Sequence, residues 1–129
     1  MCTPSDFRIL IVDDIEDNLF LLQTVLETEG YEVDTAGDGE TALAKVNDSP
    51  PNLILMDVMM PDMNGYEVTR EIRQNPDLPF MPILMVTAYD VLSTGQGLAL
   101  EASNFIRKPI EFDVLLSKVA NLLRSKAKG

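Results

Sequence analysis

Apolar and polar positions follow a regular order along the chain, in which short apolar runs alternate with longer amphipathic stretches. The runs are three to six residues long, and polar residues follow most of them. Short continuous apolar runs of this kind are typical of strands that are buried on both sides of a sheet. The predicted strands cover residues 7–12, 31–36, 53–56, 83–86 and 104–106.

The stretches between these runs carry apolar residues at three- and four-residue spacing, which predicts amphipathic helices. Leu19, Leu22 and Leu26 begin this pattern, and Gly30 provides a glycine stop for the first helix. Further helices are predicted over 40–46, 66–73, 91–102 and 112–123, and the one over 91–102 is weak because two glycines interrupt it. Five strands alternating with five helices indicate an α/β fold, with one parallel sheet covered on both faces.

Composition narrows the function classes. The 129 residues suit one domain, and no apolar run approaches the roughly 18 residues of a membrane helix, so no membrane contact is expected. No histidine is present, which excludes catalytic triads, His-ligated zinc and phosphohistidine on this chain. A single cysteine, Cys2, forms no internal disulfide, and with no signal peptide evident a cytoplasmic location is the default.

The charge is strongly negative and unevenly distributed. The net charge of −11 disfavours direct nucleic-acid binding, because phosphates would be repelled. Residues 1–64 carry 14 acidic and 2 basic side chains, whereas residues 65–129 carry 7 acidic and 8 basic ones. The excess of acidic side chains in the first half indicates that this half binds a cation.

Polar side chains follow four of the predicted strands at the point where each strand ends. Asp13 and Asp14 follow the first, Asp57 the third, Thr87 the fourth and Lys108 the fifth. Ligands of open parallel sheets bind at the carboxyl ends of the strands. If the first and third strands are neighbours, three carboxylates converge, and their repulsion is relieved by an oxygen-preferring divalent cation such as Mg²⁺.

Each of these residues also has an ordinary structural interpretation. The Asp13–Asp14 pair could favour the dipole of the first helix, and Asp57 could cap a helix or turn. Thr87 could be a strand-end hydroxyl and Lys108 a solvated surface amine. These interpretations weaken together, because all the residues fall at one edge of the sheet and their charges are complementary.

The segment from Leu53 to Gly65, LILMDVMMPDMNG, resembles the phosphoacceptor region of receiver domains of two-component response regulators, the CheY-like family. Val12-Asp13-Asp14, Thr87-Ala88 and Lys108-Pro109 match the remaining family positions in order. The resemblance runs from about Phe7 to Leu123. It implies a flavodoxin-like (βα)5 fold with strand order 2-1-3-4-5. The domain is expected over 7–124, with flexible ends at 1–6 and 125–129.

The resemblance also implies a role for each matched residue. Asp57 is the expected phosphoacceptor, served by a histidine kinase or phosphotransfer protein, and Mg²⁺ (or Mn²⁺) is the expected metal. Thr87 and Lys108 would contact the phosphoryl oxygens, and Phe105 would change rotamer on activation. The remaining expected roles are metal binding by Asp13 and Asp14 and by the Met59 backbone carbonyl, a structural role for Gly65, and a cis peptide bond at Lys108–Pro109.

The leading hypothesis is therefore a phosphorylation switch that signals through contact with a downstream protein and is not a conventional enzyme. Only Mg²⁺-dependent self-phosphorylation and self-dephosphorylation are expected of it. A homodimer through the predicted fourth helix, fifth strand and last helix stays open. So does the choice between a stand-alone regulator and a receiver cut from a longer protein.

Three alternatives are weighed against this hypothesis. A pseudo-receiver that is never phosphorylated is disfavoured by the intact set of matched residues. A flavodoxin-like cofactor carrier would need a phosphate loop where Asp13 and Asp14 stand. An aspartyl phosphatase of the D-x-D type would need an acid at Met59.

Overall fold

The computed structural model describes residues 7–58, 60, 64–87, 104–107 and 110–128. Its five strands form one parallel sheet in the order β2-β1-β3-β4-β5, which confirms the predicted fold class and topology. The strands are β1 (Arg8–Val12), β2 (Glu32–Ala36), β3 (Leu53–Asp57), β4 (Ile83–Thr87) and β5 (Asn104–Arg107). The helices are α1 (Glu16–Thr28), α2 (Gly39–Asp48), α3 (Gly65–Gln74) and α4 (Phe112–Lys128). The helix predicted over 91–102 lies outside the described residues.

Helices cover both faces of the sheet, as continuous apolar strands require. Alternate strand residues point to opposite faces, so Ile9 and Ile11 pack with α1 and α4 while Leu10 and Val12 pack with α2 and α3. Two buried clusters result, one on each face. Within the described residues, no helix is both long and apolar enough to cross a membrane.

Local side-chain chemistry sets the helix ends. Asp38 caps α2 by accepting a 2.7 Å hydrogen bond from the Thr41 N–H. Asn64 and Glu67 form a capping box at the start of α3. After α1, Gly30 adopts a φ of 99°, a left-handed conformation that glycine adopts without steric cost, so the predicted glycine stop is confirmed.

The last helix is longer than predicted. The apolar pattern predicts a helix over 112–123, and α4 continues to Lys128. The apolar periodicity ends at Leu123, but lysine and alanine are good helix formers and need no core contact to continue a helix. Basic side chains are also favourable at the negative end of the helix dipole.

At the outer edge of β2, nearby side chains form hydrogen bonds with the backbone groups of Thr35. The backbone groups of Glu32 and Ala36 bond to the β1 side, so those of Thr35 face outward. The Thr35 N–H donates to Asp34 Oδ1 at 2.8 Å, and Lys45 Nζ donates to the Thr35 carbonyl at 2.6 Å. Lys45 also forms a 2.9 Å ion pair with Asp34, and we call these three contacts the edge clamp.

Candidate phosphoacceptor and metal site

Three carboxylates meet where β1 and β3 end side by side. One oxygen from each of Asp13, Asp14 and Asp57 lies within 4.8 Å of the others. The register pairs Val12 with Met56, so the acids that follow these residues stand at the same level of the sheet. Asp13 and Asp57 are each 3% exposed, whereas Asp14 is exposed to solvent. The predicted convergence of the three side chains is confirmed.

Asp13 is held by contacts from three directions. Its backbone N–H donates to the Ala36 carbonyl at 3.1 Å, which joins the end of β1 to the end of β2. Its carboxylate accepts hydrogen bonds from the Ile15 N–H at 3.0 Å and from Asn18 Nδ2 at 3.2 Å. Asn18 was not among the residues predicted from the sequence, although an amide in the first helical turn after an acidic pair is a usable signal for such a contact.

Gly65 brings α3 directly against the end of β3. Its N–H donates to the Val58 carbonyl at 3.0 Å. A Cβ atom at this position would lie 2.5 Å from the Asp57 backbone oxygen and 3.0 Å from both Met56 Cγ and Val58 Cα. Any side chain here would therefore displace the backbone that carries Asp57, which supports the structural role expected of this glycine.

The strand next to β3 reaches the same edge of the sheet. Asp57 pairs with Val86, and the Val58 N–H continues the ladder by donating to the Val86 carbonyl at 3.0 Å. Thr87 is the last residue of β4 and therefore stands at this edge, while Phe105 in β5 is half-buried against the α2/α3 face. The Thr87 side chain lies outside what the structure describes, as do Met59, Lys108 and Pro109. Their expected roles stay predictions.

The donor set fits a divalent cation that prefers oxygen. Three carboxylates within 4.8 Å repel one another, and the two buried ones are poorly screened by water. Carboxylate oxygens suit Mg²⁺ or Mn²⁺, and the chain has no histidine imidazole, a ligand that suits zinc and copper. The arrangement is therefore suited to hold a hard cation beside Asp57.

A family model described as response regulator receiver domain matches residues 9–120. The chain belongs to this family. It is 46% identical over 120 residues to the response regulator PleD of Caulobacter vibrioides, covering 92% of this chain and 26% of PleD. It is 42% identical over 118 residues to the alkaline phosphatase synthesis transcriptional regulatory protein PhoP of Bacillus subtilis, covering 91% of this chain and 48% of PhoP.

Solved structures give the same result. The chemotaxis protein CheY4 of Vibrio cholerae superposes with a TM-score of 0.82 at 33% identity, covering 90% of this chain and 98% of that one. A CheY-like receiver domain protein from Methanospirillum hungatei superposes with a TM-score of 0.84 at 35% identity, covering 95% and 97%. The chain thus spans nearly all of these two solved chains but only about a quarter to a half of PleD and PhoP.

The chain is a receiver domain of two-component response regulators, and it is a signalling domain rather than a classical enzyme. This membership removes the flavodoxin-like carrier and the D-x-D phosphatase from consideration. A homodimer through the helix predicted over 91–102, β5 and the last helix α4 stays a prediction, since residues 88–103 lie outside the described part of the chain.

Proposed function

We propose that this receiver domain is a phosphorylation switch whose acceptor is Asp57. The phosphoryl group would come from a histidine kinase or a phosphotransfer protein in a Mg²⁺-dependent reaction, and the output would be contact with a downstream protein. The observation that carries the proposal is the cluster of Asp13, Asp14 and Asp57 within 4.8 Å, in a family of two-component receivers.

Asp57 can act as the nucleophile without a base. A divalent cation held by Asp13, Asp14 and Asp57 would favour the ionised form of the buried Asp57 carboxylate, and a carboxylate oxygen that attacks phosphorus forms an acyl phosphate. The phosphorus–nitrogen bond of the donor phosphohistidine breaks in the same transfer, and its electron pair returns to the imidazole. No proton needs to be removed from Asp57, which agrees with a chain that has no histidine.

The remaining groups balance charge and position the phosphoryl oxygens. Asp13, Asp14, Asp57 and the Met59 carbonyl would hold Mg²⁺, which supplies electrostatic stabilisation of the transferring group when bound. Lys108 adds one further positive charge, so the metal and the amine together offset three carboxylates. Thr87 donates a hydrogen bond to a phosphoryl oxygen, and Phe105 changes rotamer as the strand ends move inward.

The surface beside the acids suits a protein donor. Ile15, the residue before α1, is 50% exposed, and Phe20 and Leu21 in the first two turns of α1 are 72% and 48% exposed. Large exposed apolar side chains on an element that follows Asp13 and Asp14 in the chain favour protein docking there. We therefore place the phosphodonor on the first turns of α1.

The test is incubation with Mg²⁺ and acetyl phosphate, followed by intact mass spectrometry. The wild-type chain should gain the mass of one phosphoryl group, and Asp57→Asn should gain none. Asp48→Asn, which changes an exposed aspartate at the end of α2, is the matched control and should behave as wild type. A wild-type chain that gains nothing while remaining folded would indicate a pseudo-receiver.

A further inference from the structure

We propose that Asn18 is a positioning residue for the metal site. It would hold the Asp13 carboxylate in the orientation that a divalent cation needs. The inference rests on the proposed function and extends it to a residue outside the expected acceptor and metal set. Its basis is the 3.2 Å hydrogen bond from Asn18 Nδ2 to Asp13 Oδ2, together with the 3.0 Å bond from the Ile15 N–H to Asp13 Oδ1.

The two donors act on different oxygens of the same carboxylate. A carboxylate with one contact can still rotate about its Cβ–Cγ bond, whereas one held at both oxygens has a fixed plane. An ionised carboxylate has about four acceptor positions, two on each oxygen, and these two donors take one on each oxygen. Asp13 is 3% exposed, so bulk water does little to orient it. The Asn18 contact thus sets the plane of a buried charge.

The chemistry of the amide matters as much as its position. Three carboxylates within 4.8 Å attract a cation more strongly when fewer positive side chains of the protein lie beside them. A lysine or arginine at position 18 would supply that neutralising charge and compete with the metal. An asparagine donates a hydrogen bond but carries no charge, so it orients Asp13 and leaves the site negative.

Helix formation does not explain the residue. Asn18 is half-buried in the first turn of α1, where asparagine has lower helix propensity than leucine, glutamate or lysine. Its side chain bridges instead from the helix to the loop that follows β1. Partners that orient metal ligands in this way typically change metal affinity by 10- to 100-fold when they are removed.

The decisive experiment measures metal affinity and phosphorylation separately. Asn18→Leu keeps the size of the side chain and removes the donor. Mn²⁺ titration followed by electron paramagnetic resonance gives the dissociation constant of the unphosphorylated protein, and we expect it to rise about tenfold. The Mg²⁺ concentration for half-maximal phosphorylation by acetyl phosphate should rise by the same factor, while the rate at saturating Mg²⁺ stays at the wild-type value.

Two further variants make the result specific. Gln23→Leu changes a half-buried amide on the same helix that bonds to Glu27, and its Mn²⁺ affinity should match wild type. Asn18→Lys keeps a donor but adds charge, and it should weaken Mn²⁺ binding more than Asn18→Leu does. Circular dichroism confirms that each variant is folded, and Asn18→Ala, which also removes the donor, replaces Asn18→Leu as the test if the latter is not.

The outcomes separate the two proposals. Unchanged Mn²⁺ affinity in the folded Asn18 variants, or an equal loss in Gln23→Leu, would overturn the positioning role while the wild-type chain is still phosphorylated. A fall in the saturated rate with no change in half-saturation would also overturn it. If the wild-type chain neither binds Mn²⁺ nor accepts a phosphoryl group, the proposed function itself fails.

Discussion

The two faces of the sheet are built from different apolar side chains. On the α1/α4 face the buried cluster consists of branched aliphatic residues, Ile9, Ile11, Leu22, Leu26, Leu53, Leu55, Leu84, Val86, Ile106, Leu115, Val119 and Leu123. On the α2/α3 face it includes four methionines and a tyrosine, Met56, Met60, Met81, Met85 and Tyr66. Branched side chains interlock in few rotamers, whereas methionine is unbranched and adapts to its surroundings.

The methionine-containing face is also the one next to the phosphoacceptor. The strand register aligns Val12, Met56, Met85 and Phe105 in one row across the sheet, directly before the acids that end β1 and β3. Helix α3 begins against Asp57 on this same face. The adaptable methionine packing therefore lies on the α2/α3 face, where a switch would have to rearrange. The more rigid packing of branched side chains lies on the α1/α4 face.

The largest expected effect comes from opening a cavity on the rigid face. Leu55→Ala should lower the free energy of unfolding by about 4 kcal/mol, because its branched neighbours relax little around the cavity. Met85→Ala on the other face should cost about 2–3 kcal/mol, since nearby methionines can fill part of the space. Urea unfolding measures both. Equal costs would contradict the distinction between the faces, and exposed Leu21→Ala is the control.

Gly65→Ala tests the point where the adaptable face meets the site. The added Cβ meets the Asp57 backbone oxygen at 2.5 Å, and neither helix nor strand can yield cheaply. We expect a loss of about 3 kcal/mol in urea unfolding and slower phosphorylation at saturating Mg²⁺. Gly37→Ala is the matched control, because nothing lies within 4 Å of its added Cβ. If folded Gly65→Ala is phosphorylated at the wild-type rate, α3 can move away from the Asp57 backbone more easily than we infer.

Shape-conserving changes in the row should affect dynamics more than stability. Met85→Leu keeps the volume of the side chain and should cost about 1 kcal/mol or less. The stiffer side chain should reduce the change in the Phe105 ring signals that acetyl phosphate produces in nuclear magnetic resonance spectra. Met81→Leu, in the same cluster but outside the row, is the control. An unchanged Phe105 response would remove the row from any account of switching.

The smallest effect is expected at the edge clamp, which serves as a baseline because it belongs to neither buried cluster. Burial raises the pKa of Asp34, but the hydrogen bonds from Lys45 and the Thr35 N–H lower this pKa by a larger amount, so the net shift is downward. Because the pKa of Asp34 is lower in the folded state, its carboxylate stabilises the fold at pH values above the pKa in the unfolded chain, about 3.9. That contribution disappears as the pH falls through the pKa in the folded state.

Asp34→Asn should therefore cost less than about 1 kcal/mol at neutral pH, since the pair is partly exposed. Urea unfolding of wild type and variant at about pH 7 and about pH 3 measures the difference, which should shrink at the lower pH. A constant difference would mean that the carboxylate charge contributes nothing. Thr24→Ala, on exposed α1 surface, controls for a general effect of acid.

The sequence predicted the sheet and the acid cluster because both follow from order along the chain. Polar residues follow four of the five apolar runs, and the family resemblance supplied the strand order that places β1 beside β3, so the edge that carries Asp13, Asp14 and Asp57 could be located without coordinates. The Asn18 contact could not, because it depends on the rotation of α1 about its axis and on a side-chain torsion. The division of methionines between faces likewise required the register, since Met56 and Leu55 are adjacent in sequence yet point to opposite sides.

The edge clamp has a consequence for a domain that works by being recognised. An outermost strand ordinarily offers a template on which any extended peptide can add itself, and such adhesion is indifferent to sequence. Here the outward peptide group of Thr35 is already occupied by Lys45 and Asp34. At that position the backbone groups are already hydrogen-bonded to the protein's own side chains, which disfavours the addition of an extended peptide there. Recognition by other proteins is then favoured at surfaces whose shape and charge differ from one receiver to another.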